Sequence, residues 1–262
     1  MAKRKKKDAI NTVRIALWLG LFLVGLVIVS GAMQRKSEAA IKDIVVDIEP
    51  LKDGFYLLNE EDIPLIIEDR FAHPLTAFNV GQVDVERLER VLEEDPFVLK
   101  AEAFIDADGK VNINIVQREP ILRIKDNNDL DYYLDKDGNQ MPPSKHHAAR
   151  VRIVTGTLPP YEDNCLTNEI HLLHHIFELN NQLRADEFLD ALVEQIYVNK
   201  RGELILSPKV GRQTILFGRY QNAEDKLKRL KVFYREGLPY KGWKVYKSFD
   251  LRYDGQVVCV KR

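Results

Sequence analysis

The stretch 245-VYKSFDLRYDGQVVCVKR-262 reads as a strand, a two-residue turn and a second strand. Successive side chains of a strand point to opposite faces, so Phe249, Leu251 and Tyr253 would face one way and Asp250 and Arg252 the other. Across a turn at Asp254-Gly255, Val258 and Val260 alternate with Val257 and Cys259. Asp-Gly between alternating apolar runs is a strong short-range hairpin signal. A hairpin closing a sheet presents a row of unpaired N–H and C=O groups, which proteins usually shield. No tail is seen after this strand, so the expectation is an edge left for another chain to cover.

Working back from this hairpin, the residues from about Leu122 read mostly as strands. 131-DYYLDKDGNQM-141 and 193-VEQIYVNKRGELILS-207 are hairpins around Asp137-Gly138 and Arg201-Gly202, and 150-RVRIVTG-156 and 212-RQTILFG-218 are further strands. Two helices interrupt them, roughly Thr167 to Asn180 continuing to Ala191, and roughly Asn222 to Glu236. The sequence predicts a mixed β-sheet with flanking helices over 122–262.

Before it, 44-IVVDI-48 is a short β-branched strand, 59-NEEDIPLIIEDRF-71 a helix capped by Asn59, and 83-VDVERLERVLEED-95 a helix with Val85, Leu88, Val91 and Leu92 on one face. Two strands follow over 97–120, turning at Asp108-Gly109, with Val111, Ile113 and Ile115 on the buried face. The order strand, helix, helix, strand, strand predicts a small α+β unit over 41–121.

Residues 15-IALWLGLFLVGLVIVSGAM-33 carry no charged side chain. At about 1.5 Å per helical residue they span roughly 28 Å, close to a bilayer's hydrocarbon core. Signal-peptide cores are shorter, about 7–15 residues, so the reading is an uncleaved single-pass anchor over 15–33. Lys3, Arg4, Lys5, Lys6, Lys7 and Arg14 precede it, against Arg35 and Lys36 after it. The heavier basic flank stays cytoplasmic, which makes 1–14 a cytoplasmic arm and places the bulk of the chain outside. A net charge of -1 gives no basic domain for nucleic acid to bind.

Anchor, α+β unit and mixed β-domain, with 114-NIVQREP-120, 132-YYLDKDGN-139 and above all 248-SFDLRYDGQVV-258, resemble the FtsQ/DivIB family of bacterial cell-division proteins. The resemblance implies a fold of class α+β: an N-terminal transmembrane helix, a POTRA-like β-α-α-β-β domain and a mixed β-sheet domain. It implies a divisome scaffold of the inner membrane at the division site, with no catalytic residue, cofactor, metal or small-molecule substrate. Such a scaffold joins bitopic partners of the FtsB/DivIC and FtsL type to septal peptidoglycan synthesis. Those partners would be held by strand addition at the C-terminal edge, through Asp250, Leu251, Arg252, Tyr253, Gln256, Val257, Val258 and Val260. Arg252 suits a partner carboxylate and Tyr253 an aromatic anchor, although both also fit as cross-strand partners within the sheet. Two other classes stay open: a POTRA-bearing translocation or assembly module, and an extracytoplasmic wall metalloenzyme.

The metalloenzyme rests on 171-HLLHH-175, where His171, His174 and His175 would share a helix face, with His146 and His147 available to add. No HExxH pattern accompanies them, and the reading preferred for them is a solvated polar face of an amphipathic helix. 135-DKDGN-139 lacks the glycine and glutamate positions of a calcium loop and reads as a turn. Cys165 and Cys259 read as buried or half-buried thiols, and whether they meet is open.

Overall fold

The computed structural model describes residues 2–126, 130–162, 164–242 and 244–262, and at 2–17, 32 and 241 the backbone alone. The side chains of the basic arm expected over 1–14 therefore lie outside the described residues. The chain divides into two compact units, Met1–Gln117 and Arg118–Arg262. The first begins with α1 (Ala2–Ser37), in which Trp18–Ser37 is long and apolar enough to cross a membrane. Trp18 and Met33 on it are each 72% exposed, surface that a bilayer would cover.

The rest of the first unit runs β1 (Asp43–Glu49), α2 (Asp62–Phe71), α3 (Val85–Glu93), β2 (Val98–Ile105) and β3 (Lys110–Gln117). The sheet order is β1-β3-β2, with β1 parallel and β2 antiparallel to the central strand. Val111, Ile113 and Ile115 of β3 are fully buried with Ile63, Leu88 and Leu92 from the helices, so the expected apolar face is the core. One detail departs from expectation. Helix α2 starts at Asp62, not at Asn59, because the Asp62 carboxylate accepts from the Asn59 N–H at 2.9 Å and holds that turn outside the helix. The buried Gln117 amide ties the loop after β1 to the sheet. Its Oε1 accepts from Leu57 N–H at 2.6 Å and its Nε2 donates to the Glu49 carbonyl at 2.7 Å.

The second unit contains β4 (Pro120–Asp126), β5 (Asp131–Asp135), β6 (Gln140–Met141), β7 (Arg152–Gly156), α4 (Leu172–Arg184), α5 (Glu187–Leu192), β8 (Val193–Val198), β9 (Leu204–Pro208), β10 (Thr214–Gly218), α6 (Ala223–Val232), α7 (Leu238–Lys241), β11 (Tyr246–Asp250) and β12 (Val258–Lys261). They form a 9-stranded sheet of order β12-β11-β10-β9-β8-β7-β4-β5-β6. Pairs β7/β8 and β10/β11 are parallel, and a parallel pair needs a crossover. Helices α4–α5 and α6–α7 are those crossovers. One row of paired side chains runs under them: Tyr132, Ile124, Val154, Ile196, Leu206, Ile215, Phe249 and Cys259. All but Cys259 are buried, each contributing on the order of 2 kcal/mol.

Three hairpins share one local device. Asp106, Asp135 and Asn199 each accept with Oδ1 from the backbone N–H two and four residues on, at 2.7–3.0 Å. Gly109, Gly138 and Gly202 follow three residues after them with positive φ. This is the loop of a type I turn closed by a left-handed glycine, one residue longer than a bare Asp-Gly turn. At Asp135, which is 1% exposed, Arg118 adds an ion pair at 3.0 Å.

Behind the sheet, Arg152 is the one buried Arg among the described residues. Its Nε donates to the Val193 carbonyl at 2.9 Å, and its other nitrogens reach Asn180 Oδ1 and Asp190 Oδ1. It thereby fastens β7 to β8, α4 and α5. Arg152→Ala would strand the Oδ1 of the fully buried Asn180 and the buried Val193 carbonyl, while Asn180 Nδ2 keeps its bond to the Ile121 carbonyl. The expected cost is about 3 kcal/mol. Calorimetry of the full chain in detergent should show the second unit's transition falling by roughly 10 °C.

Candidate functional site

Strand β12 is one of the two outer strands of the large sheet and, among the described residues, pairs only with β11. N–H and C=O of one strand residue point the same way, and the direction alternates along the chain. Arg262 N–H donates inward to the Val245 carbonyl at 3.1 Å, so Val260 and Val258 also face β11. The main-chain groups that face outward are therefore those of Cys259 and Lys261. Neither residue was singled out by side-chain reasoning, because edge polarity depends on register rather than on residue type.

The connection into β12 is wider than a two-residue turn. Strand β11 ends at Asp250, and Leu251 to Val257 form the loop. The other hairpins carry Asp or Asn three residues before their glycine, whereas here that place, before Gly255, holds Arg252. Asp250 instead makes its own turn: its Oδ1 accepts from Arg252 N–H at 3.0 Å, which pulls the chain out of the extended form. The expected alternation through Tyr253 thus stops early.

The loop is held from both sides. The Arg252 guanidinium forks back onto Asp250, with Nε at 2.9 Å from Oδ1 and Nη2 at 2.6 Å from Oδ2, and lies 3.8 Å from Glu203. That bonded guanidinium holds the Asp250 carboxyl below the usual carboxylate range, against the opposing push of burial. A side chain at Gly218, where φ is +77, would lie 2.7 Å from Arg252 Cγ, so this glycine leaves room for the arginine stem. From α6, Arg229 Nη1 donates to the carbonyls of Tyr253, at 2.9 Å, and Gln256, while its Nε binds Asp225 at 2.8 Å.

Between α6 and the end of this loop lies a groove of about 480 Å³, lined in part by Val232, Phe233, Glu236, Gly255, Gln256 and Val257. Its wall includes a π-turn, Phe233–Gly237. Pro239 has no N–H and its ring clashes with the carbonyl four residues back, which accounts for the widened turn. The π-turn aims Phe233 at β11, its ring centroid 4.9 Å from Phe249 and 6.4 Å from Tyr246. Such edge-on pairs add about 1 kcal/mol each. Nothing in local sequence marks this groove, since its walls are distant in the chain.

The sequence-expected residues fall into three places. Asp250 and Leu251 are buried, Leu251 completely, in the core. Arg252, Tyr253 and Gln256 are exposed in the loop, with Tyr253 52% exposed. Val257 turns to the helix side and packs on the core, while Val258 and Val260 are exposed on the opposite face. The histidines do not share a helix face: α4 begins at Leu172, and His171 caps it, its Nδ1 accepting from Leu173 N–H at 3.2 Å. His174 Nδ1 donates to the Leu166 carbonyl at 2.6 Å and His175 Nε2 to that of Glu169 at 2.8 Å. Among the described residues no cluster suited to a metal occurs. Both cysteines are free, Cys165 buried and Cys259 half-buried.

Two outcomes follow for the loop. Asp250, its pKa depressed in the fold, stabilises the loop above the unfolded value of about 4 and loses that contribution as pH falls through the folded value. The protection factors of the amides over Leu251–Val257, taken relative to intrinsic exchange at each pH, should therefore fall below about pH 4 in the wild type, and Asp250→Asn should remove that fall. Arg229→Ala should free the carbonyls of Tyr253 and Gln256 and speed exchange of the same loop at neutral pH, at a cost of about 1–2 kcal/mol.

A family model described as FtsQ/DivIB, C-terminal related matches residues 119–260, more than half of the chain, and a POTRA-like domain model matches 41–116. No curated protein matches it. The matched ranges cover nearly all of the two sheets, and the C-terminal match takes in the loop after β11 and β12 as far as Val260: the chain belongs to the FtsQ/DivIB family of cell-division proteins.

Proposed function

We propose that this chain is a non-enzymatic divisome scaffold that holds bitopic partners of the FtsB/DivIC and FtsL type and links them to septal peptidoglycan synthesis. Its basic arm is cytoplasmic, its helix spans the inner membrane once at 15–33, and the bulk of the chain lies on the extracytoplasmic side at the division site. Within that bulk, 41–121 serves recruitment and 122–262 holds the partner. The observation that carries the reading is the main-chain edge of β12, unpaired among the described residues, beside a groove lined by both apolar and charged side chains.

A partner strand adds there, taking main-chain bonds from Cys259 and Lys261 and register from side chains on both faces. Val258 and Val260 meet it on one face, and Val257 and Gln256 lead it past the groove. Tyr253 supplies an exposed aromatic at the loop tip. Arg252, already forked onto Asp250, offers its remaining donor capacity to a partner carboxylate.

The test is binding of the full chain in nanodiscs to its FtsB/DivIC-like partner. Cys259→Pro removes an outward N–H, whereas Cys259→Ser keeps it. We expect Pro to weaken binding about five- to tenfold with the thermal transition retained, and Ser to leave it within about twofold, one bond being worth about 1–1.5 kcal/mol. Equal binding by the two variants moves the interface off this edge, and no binding by the wild type counts against the scaffold itself.

A further inference from the structure

The first unit has two sheet edges, and they are treated differently. On β2, Asp106 N–H donates inward to the Lys110 carbonyl at 3.0 Å, so the N–H groups of Ala101, Ala103 and Ile105 face outward. The first two are taken by α3: Glu93 Oε1 accepts from Ala101 at 3.2 Å and Glu89 Oε1 from Ala103 at 2.8 Å. These two α3 carboxylates are plugs along this edge, and an incoming strand would have to displace two charge-assisted bonds.

On the other edge, Ile41 N–H donates to the Phe78 carbonyl and Val80 N–H to that of Ala39, while Lys42 N–H turns the opposite way to Gly109. The alternation therefore points the main-chain groups of Val45 and Asp47 away from β3. Beyond the short bridge at Ala40 and Asn79, no strand among the described residues pairs with β1 on that side. The side chains here are acidic and exposed: Asp43, Asp47 and Glu49 flank Val45, which is itself 42% exposed. Across the sheet, Asp43 stands beside Lys110 and Asp47 beside Asn114, and Lys100, two strands away from Glu49, is already paired with Glu102.

We propose that the β1 edge is a second docking site of this protein, taking an extended polypeptide segment with Lys or Arg at alternate positions. Main-chain bonds to Val45 and Asp47 hold the segment, and cations on one of its faces meet Asp43, Asp47 and Glu49. Because β1 follows closely on the membrane helix, a segment that reaches it lies near the membrane surface. The site is separate from the β12 edge, lies in the other unit, and stands or falls without it.

The experiment uses the full chain in phosphatidylcholine nanodiscs and a synthetic peptide alternating Lys with Thr and Val, beside its Glu counterpart. Hydrogen exchange should slow over Asp43–Glu49 with the Lys peptide, and not with the Glu peptide. Asp47→Lys, a surface change that leaves the core intact, should weaken binding about tenfold, as should raising salt from 0.05 to about 0.5 M. Val45→Pro should do the same if its thermal transition is retained. Protection over Val98–Ile105 or Val258–Lys261 instead, absence of protection, or binding undiminished in Asp47→Lys would overturn the assignment.

Discussion

The continuous apolar row from Tyr132 to Cys259 is the constraint on which the second unit depends. It fixes which side chains of each strand face the helices, and a slip of one residue in any strand would send its apolar set to the open face. The parallel crossover through α6 and α7 delivers β11 beside β10, and the hairpin then has one place left for β12, at the rim. The row thus determines three things at once: that β12 is last, that Cys259 completes the core side, and that the outward main-chain groups belong to Cys259 and Lys261. Site geometry here is a consequence of core packing.

Much of this architecture is legible in the sequence. Strands with strict alternation, such as 111–115, and hairpins marked by Asp-Gly or Arg-Gly appear where the pattern puts them. What stays hidden is set by tertiary or side-chain chemistry. The register that orders nine strands is long-range, and no local pattern carries it. The final turn misleads because it has the glycine of the other hairpins but not their acceptor: Arg252 stands where Asp106, Asp135 and Asn199 stand elsewhere, and Asp250 bends the chain early. The 171–175 histidines mislead in the same way, since a capping His leaves the helix face that its spacing implies.

The candidate site shows the same division. Arg252, Tyr253 and the valines of the last strand stand out in the sequence as a polar and apolar alternation at a terminus. Their actual neighbours do not. Arg229 clamps carbonyls far along the chain, and Phe233 reaches β11 through a π-turn that Pro239 imposes. A short loop of exposed residues gains a fixed shape from these contacts, and a fixed loop loses less conformational entropy when a partner arrives.

The contrast between edges then becomes an argument about design. An outward N–H in water is hydrated and costs little, so an open edge is not in itself unstable; its hazard is pairing with the wrong chain. On β2 that hazard is reduced by two glutamates of α3, which occupy the donors of Ala101 and Ala103 directly. On β12 no such plug is present among the described residues, and the structure instead invests contacts around the edge: a latched loop, an aromatic cluster and a groove. Main-chain bonds alone would add about 1 kcal/mol each and accept any sequence. Under the proposed strand addition, the groove and the exposed valines would add affinity that depends on side-chain register, which would separate one partner strand from another. An edge that is left open but surrounded by specific contacts is the arrangement expected where pairing is wanted and must be selective.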